Sequence, residues 1–477
     1  MAEAKPLVLD VDGTYLKTDM LFEAFWAGLG TDPGATLGAA ARHFASPAKL
    51  KRALSEIVTL RHDLLPEREE IAALAKEGLE AGRTVVFASA SDIREVDALA
   101  KAKSLDVVTM GSDGTENLKG ARKAARLVEA YGERGFDYAG DSSADLAVWQ
   151  KAENAIVIGD QDKAARLLTS EGHSVTKIDG GWSYGDLMRA FRPHQWVKNI
   201  LLLLPLIAAH SFDLALLGQV LLGIVAFSFA ASSIYVVNDL LDLEADRLHP
   251  KKCKRPFASG AVPIQVGMAS FVGLAGAALL IGAFLGAAFV GVVAFYMAFS
   301  LAYSLRLKRL RWIDIASLAS LYTLRVVAGA AATQVDVSVF MLIFIFPVFI
   351  TLGCVKRLTE LTLATSDERL PGRGYGRPDR GDLLNVAVLG MVGALVIFFL
   401  YTFSDQAAAL YDVQWVLWLA LIPMAVWLWR MIALGYLGRQ DYDPIVFALR
   451  DKIGLGLLML TLAMMFFAAD IWRAVFL

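Results

Sequence analysis

The stretch SSIYVVNDLLDLEADRLHPKKCKRP, Ser232–Pro256, decides how this chain is read. It closes a long apolar run, sets Asp239, Asp242, Glu244 and Asp246 in quick succession, and then adds Arg247, Lys251, Lys252, Lys254 and Arg255. On a helix, Asp239, Asp242 and Asp246 are three and four residues apart and share one face, with Asn238 on its edge. Carboxylates crowded at a membrane edge repel one another unless a cation offsets them. Magnesium prefers oxygen ligands and shares them with phosphate, and the basic residues directly behind can bind what the metal does not reach. A charged loop that merely solvates a helix end accounts for the charge but not for the spacing.

Outward from this stretch the chain divides in two. It has 477 residues, 56% of them hydrophobic, and the apolar excess is concentrated after Ile200. Residues 1–180 alternate charged and apolar stretches as a globular domain does, and residues 181–477 form the membrane part, with DGGWSYG, Asp179–Gly185, as linker. The net charge of −2 averages two unlike halves, and no nucleic-acid partner is expected. The N-terminus shows no secretion signal, and the two cysteines, Cys253 and Cys354, carry no pairing motif, which suits a reducing compartment. The six histidines show no metal-ligand spacing.

About nine membrane segments are expected, near 198–211, 213–236, 265–283, 285–305, 312–333, 338–355, 383–404, 414–434 and 453–476. One set of loops carries KKCKR, RLKRLR, KRLTEL with RLPGRGYGRPDR, and LGRQDYDPIVFALRDK; the opposite set has no lysine or arginine. The positive-inside rule places the basic loops and the N-terminal domain in the cytoplasm, with a multi-pass chain in a bacterial-type inner membrane. A homo-oligomer is left open.

In the first half, PLVLDVDGTYL is an apolar strand ending in Asp10 and Asp12, at the carboxyl edge where ligands collect in a parallel sheet. One carboxylate can attack phosphorus while the other moves a proton. TVVFASAS ends a second strand in small hydroxyl residues, NLKGARKAARL offers a lysine, and FDYAGDSSADLAVW spaces Asp141 and Asp145 to hold magnesium. Together, in this order, these motifs resemble the haloacid dehalogenase (HAD) superfamily of phosphatases over most of residues 5–160. The resemblance implies a Rossmann-like α/β fold with Asp10 as nucleophile and metal ligand and Asp12 as general acid/base. It also implies Ser89 and Lys119 as phosphate ligands and Asp141 with Asp145 at the metal. Asp12 favours turnover of a phosphoester over a stable aspartyl phosphate, and the helical pattern of residues 19–65 makes only a small cap.

In the second half, NDLLDLEAD matches the NDxxDxxxD signature of the UbiA superfamily of membrane prenyltransferases, whose all-α bundle fits the segment count, and KRPFASG matches the family's next segment. The family's later DxxxD motif is reduced here to Asp314, with Leu318 in place of the second aspartate. RPHQWVKNILLLLPL, LRVVAGAAAT, CVKRLTEL and FALRDK resemble the decaprenyl-phosphate phosphoribosyltransferase branch over roughly 188–460. That branch joins phosphoribosyl pyrophosphate to a polyprenyl phosphate. The resemblance implies Asn238, Asp239, Asp242 and Asp246 on magnesium, the three aspartates being catalytic. It gives Gln195, Lys198, Asn199, Arg247, Arg255, Tyr303, Lys308, Lys356, Arg357 and Arg450 as substrate or phosphate ligands, and Asp314 as a ligand of metal or ribose. Arg325 lies inside a membrane segment, where a charge is functional by default or pairs with a carboxylate of another helix.

The expectation is a two-step enzyme, with magnesium in both domains. The transferase makes a 5-phosphoribosyl lipid, and the phosphatase removes the 5-phosphate to give a ribosyl lipid for cell-envelope glycan synthesis. A prenyltransferase acting on an aromatic acceptor is the rival with the same fold; a transporter or scaffold with a regulatory phosphatase-like domain is the rival of another class.

Overall fold

The computed structural model describes residues 4–364, 369, 374–440 and 443–471. Two compact units emerge: Met1–Phe191 with Tyr235–Val272, and Arg192–Ile234 with Gly273–Leu477.

The first unit starts with β1 (Leu7–Leu9), α1 (Met20–Thr31), α2 (Pro33–His43), α3 (Pro47–Ile57), α4 (Glu69–Glu80) and β2 (Val85–Asp92). It continues with α5 (Ile93–Ala102), β3 (Val108–Ser112), α6 (Ala121–Tyr131), β4 (Asp137–Gly140), the short α7 (Leu146–Trp149), β5 (Asn154–Ile158), α8 (Asp162–Ser170), β6 (Ser174–Ile178) and α9 (Tyr184–Phe191). The strands form one sheet in the order β3-β2-β1-β4-β5-β6, and every pairing is parallel. β1 is buried on both faces, as a central parallel strand must be when helices cover the sheet. Its side chains alternate between two cores: Leu7 and Leu9 pack with Phe87 and Ile71, and Val8 with Tyr138 and Trp149.

The chain leaves β1 toward β2 on one side, and β4 lies on the other. The crevice beyond the carboxyl ends of β1 and β4 is therefore a topological switch point, where ligands bind in such sheets. Asp10 and Asp12 follow β1, and Asp141 and Asp145 follow β4. Residues 19–65 are largely helical, with Asp19 capping α1 through Leu21 N–H and Asp32 capping α2 through Ala35 N–H.

The apolar half comprises α10 (Leu204–Ala208), α11 (Leu214–Leu241), α12 (Leu243–Leu248), α13 (Ile264–Leu285), α14 (Ala287–Leu305) and α15 (Ile313–Thr333). After these come α16 (Val339–Thr362), α17 (Arg380–Tyr401), α18 (Asp405–Leu410), α19 (Trp415–Tyr436), α20 (Pro444–Ala448) and α21 (Lys452–Ala468). Among the described residues, seven helices are long and apolar enough to span a membrane: α11, α13, α14, α15, α16, the helix through α17, and α19. The segment expected at 198–211 is instead a run of 3-10 turns, Pro193–Leu203, followed by the five-residue α10. Pro205 removes a donor here, and the run lies so close to α15 that a Cβ on Gly329 would fall 2.0 Å from the Leu202 carbonyl oxygen. The expected segment 453–476 appears as the 17-residue α21. Its last residues, 472–476, lie outside the described residues, as do 370–373 and 441–442 of the basic loops.

Candidate active sites

At the switch point, Asp10, Asp141 and Asp145 bring one carboxylate oxygen each to within 4.8 Å of one another. The close approach depends on Gly13, at φ +80°, where a Cβ would sit 2.3 Å from Asp141 Oδ2. Burial, with Asp145 and Asp141 nearby, pushes the Asp10 carboxyl up to about 8 against the pull of Lys123, and burial with Asp145 raises Asp141 to about 6. Three crowded, desolvated carboxylates with an all-oxygen donor set fit a hard divalent cation.

Lys123 is the residue that sequence reasoning missed. Its Nζ lies 2.9 Å from Asp10 Oδ1 and 3.8 Å from Asp145 Oδ1. It also donates to Tyr138 OH (3.0 Å), which donates in turn to Asp145 Oδ1 (2.7 Å). Lys119, the lysine expected here, is exposed just before α6. The available signal was the face: Lys123 shares the buried side of α6 with Ala124 and Leu127.

Asp12 faces a different set of partners. Its Oδ1 accepts from Met20 N–H (2.9 Å), and its Oδ2 accepts from Ser89 Oγ (2.9 Å) and Ser91 Oγ (2.7 Å). Ser89, fully buried, thus holds Asp12 in this structure. Lys51 of α3 donates to the Ala90 carbonyl (2.6 Å), and burial pushes its ammonium down against the favourable pull of Asp12 and Asp19. Arg68 fastens the loop after β1 through the Gly13 carbonyl (3.1 Å).

The acidic run lies in the same unit. The helix expected through it breaks at Asp242 (φ −102°, ψ 15°), so α11 gives way to α12 there. Asp239 and Asp246 are buried, and Arg255 Nη1 donates to both, at 3.0 Å to Asp239 Oδ1 and 2.6 Å to Asp246 Oδ2. Asn238 Oδ1 is buried with no hydrogen-bond partner. An orphaned oxygen acceptor next in the chain to Asp239 suits a hard cation, although among the described residues the group whose three acidic oxygens lie within 4.8 Å of one another is Asp10, Asp141 and Asp145, not the acidic run. Arg247 turns to Glu23 of α1, to which Nη1 and Nη2 donate at 3.0 and 2.6 Å. Lys251, Lys252 and Lys254 stay exposed.

The remaining candidates belong to the second unit. Fully buried Arg357 grips Asp314 through Nε and through Nη2 (2.8 Å). Tyr303 OH donates to Asp314 Oδ1 (2.8 Å) and accepts from Arg357 (3.1 Å). Lys198 pairs with Asp443, a carboxylate absent from the sequence expectations. Burial opposes its charge, yet Lys198 and Lys356 hold the Asp443 carboxyl below its ordinary range. Burial, then Arg192, Lys198 and Arg450, push the His194 imidazole down, the mark of an electropositive neighbourhood. Arg450 itself is exposed, Lys308 sits in the turn Leu307–Arg309, and Gln195 is half-buried in the 3-10 run.

Arg325 is 4% exposed and donates to Asn199 Oδ1 (3.0 Å), Tyr296 OH (3.2 Å) and the Leu321 carbonyl (2.6 Å). Its guanidinium also lies over the rings of Phe227, Tyr296 and Tyr322 at 5.1–5.5 Å. An apolar cavity of about 440 Å³, lined by Ile200, Leu204, Phe344, Phe349, Trp427 and Leu458 among others, opens in this unit.

Residues 200–364 match the UbiA prenyltransferase family. The chain is 34% identical over 457 residues to the uncharacterized protein y4nM of Sinorhizobium fredii, covering 94% of this chain and 88% of that one. It is 36% identical over 279 residues to the decaprenyl-phosphate phosphoribosyltransferase of Mycolicibacterium smegmatis, covering 56% of this chain and 87% of that protein. A solved UbiA homolog from Archaeoglobus fulgidus, bound to GPP and Mg2+, is 15% identical with a TM-score of 0.43, covering 59% of this chain and 99% of that one. With its apolar helices, its acidic run and relatives that include decaprenyl-phosphate phosphoribosyltransferases, this chain belongs, through its C-terminal half, to the UbiA prenyltransferase family.

Proposed function

We propose that the chain is a two-step membrane enzyme. Its UbiA half transfers 5-phosphoribose from phosphoribosyl pyrophosphate to a polyprenyl phosphate, and its α/β half, acting as a HAD-type phosphatase, removes the 5-phosphate. One observation carries the transfer half of this reading: 36% identity to a decaprenyl-phosphate phosphoribosyltransferase over 87% of that protein's length. The hydrolysis half is supported by the clustered Asp10, Asp141 and Asp145.

In the transfer, Asn238, Asp239, Asp242 and Asp246 would hold magnesium on the diphosphate, and Arg255 would take up phosphate charge when it leaves the carboxylates. The bound metal supplies charge stabilisation for the departing pyrophosphate. Lys198, Lys356 and Arg450 are, as the resemblance to the phosphoribosyltransferases implies, the candidates for the remaining phosphates, and within their own unit the apolar cavity suits a prenyl tail. A lipid phosphate oxygen already carries negative charge and attacks the anomeric carbon without a strong base, so orientation and electrostatics supply the catalysis. The C1–O bond to pyrophosphate breaks as the new C1–O bond forms.

In the hydrolysis, the Asp10 carboxylate attacks the 5-phosphorus while Asp12 gives its proton to the departing ribose oxygen. Asp12, held by Ser89, Ser91 and the Met20 N–H, then takes a proton from the water that releases phosphate from Asp10. Lys123 shields the nucleophile's charge. The basic loops support a cytoplasmic location for both sites in a bacterial-type inner membrane.

The test supplies purified protein with phosphoribosyl pyrophosphate, decaprenyl phosphate and magnesium, and weighs the lipid product by mass spectrometry. Wild type should yield ribosylated lipid, Asp10→Asn should retain the 5-phosphate, and Asp242→Ala should add no pentose. Absence of pentose from the wild-type product sinks the reading.

A further inference from the structure

Glu23 lies in the first turn of α1, within the α/β part of the chain, and is 3% exposed. It accepts from Thr18 Oγ1 (2.6 Å) and, through both carboxylate oxygens, from the two terminal nitrogens of Arg247. The third guanidinium nitrogen of Arg247 donates to the Ala258 carbonyl (3.0 Å). All three nitrogens of this arginine are thus committed to protein. Arg247 directly follows Asp246, which shares Arg255 with Asp239.

Two further contacts bind the same segments inside this unit. Gln265 Nε2 donates to Asp19 Oδ2 (3.3 Å). Gly260, at φ +72°, lies against Lys17, where a Cβ would approach the lysine Cβ to 2.5 Å. The first turn of α1 meanwhile donates the Met20 N–H to Asp12. One helical turn therefore contacts Asp12 through the Met20 N–H and, through Glu23, the arginine that follows Asp246.

A buried, fully hydrogen-bonded ion pair contributes little net stability over an apolar pair of the same size, because desolvation offsets the attraction. Its value lies in geometry: a bidentate fork fixes distance and direction where an apolar contact does not. We infer that Glu23 is a positioning residue for the transferase, holding Arg247 and with it Asp246 and Asp239 in the arrangement that receives a divalent cation. The inference rests on the acidic run being the transfer site proposed above. It ties α1 of the α/β fold to the acidic run within one unit.

The test uses full-length protein in detergent, carrying Asp141→Asn to weaken the other candidate cation site, and reads Mn2+ binding by electron paramagnetic resonance. Glu23→Gln should weaken binding at the acidic run by about tenfold or more, as loss of a partner behind a metal ligand does. Glu23→Gln alone leaves Arg247 buried and unpaired, so its fold is compromised. The double variant Glu23→Gln/Arg247→Met removes both charges and restores the melting temperature, yet its Mn2+ binding should stay weak. Reversal, Glu23→Arg/Arg247→Glu, should recover part of it. A neutral double variant that binds Mn2+ like its parent overturns the inference and reduces the pair to a structural contact. That readout does not depend on which lipid or donor the enzyme uses, so the transfer assay judges the proposed reaction separately.

Discussion

Lys123→Met isolates what the buried lysine does. In the structure, Lys123 is 2% exposed and faces Asp10, Asp145 and Tyr138. Methionine keeps the length of the side chain and removes its charge, so two buried carboxylates lose their counter-charge. Breaking a buried pair from one side costs about 3–5 kcal/mol. Burial already pushes the Asp10 carboxyl up against the pull of Lys123, so in the variant it can relieve part of this by taking up a proton, which places the cost near the lower figure. For a folding unit of this size, about 3 kcal/mol corresponds to a drop of roughly 6–12 °C in melting temperature. The assay is temperature-resolved limited proteolysis of the full chain in detergent, following peptides of the α/β part by mass spectrometry. Chelator should reveal the full loss, and excess magnesium should shrink it, because a cation at Asp10, Asp141 and Asp145 replaces the missing charge. Phosphomonoester hydrolysis should fall by at least about 100-fold. A variant that melts within about 1 °C of wild type in chelator refutes the reasoning, since it would show that Lys123 does not compensate the carboxylates.

Gly13→Ala should abolish hydrolysis and leave transfer measurable, because a Cβ 2.3 Å from Asp141 Oδ2 must displace that carboxylate; equal hydrolysis by the variant contradicts the close approach. Asp19, raised from 3.8 to about 7 by burial and then by Asp12, keeps in the folded state a proton that the unfolded chain loses. Its contribution to stability is therefore complete below about pH 4 and lost as pH rises through about 7. Asp19→Asn should flatten the melting temperature across that window, and parallel curves for the two proteins refute the assignment. Asp314→Asn leaves fully buried Arg357 with only part of its charge compensation and should cost about 3 kcal/mol, read as detergent thermal stability. Arg357→Met added to it should recover part of that loss.

The amino-acid sequence by itself determined the features that depend on neighbours in the chain. The carboxylates after β1 and β4 were legible because a short apolar run followed by aspartates marks a strand end wherever it occurs. The acidic run, the apolar helices and the helical 19–65 region were legible for the same reason, since periodicity and composition are local. Sequence did not show that α11 breaks at Asp242, or that Leu202 presses against Gly329 and leaves the expected first membrane segment as 3-10 turns. Tertiary structure alone decided which charges meet. Arg247 and Glu23 are 224 residues apart, and Arg357 and Asp314 are 43 apart. Lys198 pairs with Asp443 of a distant turn, and Lys123, which the sequence did not single out, pairs with Asp10. A basic residue's position in the chain tells which face of its own helix it occupies. Which carboxylate it finds there depends on what packing brings opposite, because a buried charge settles wherever desolvation is best compensated.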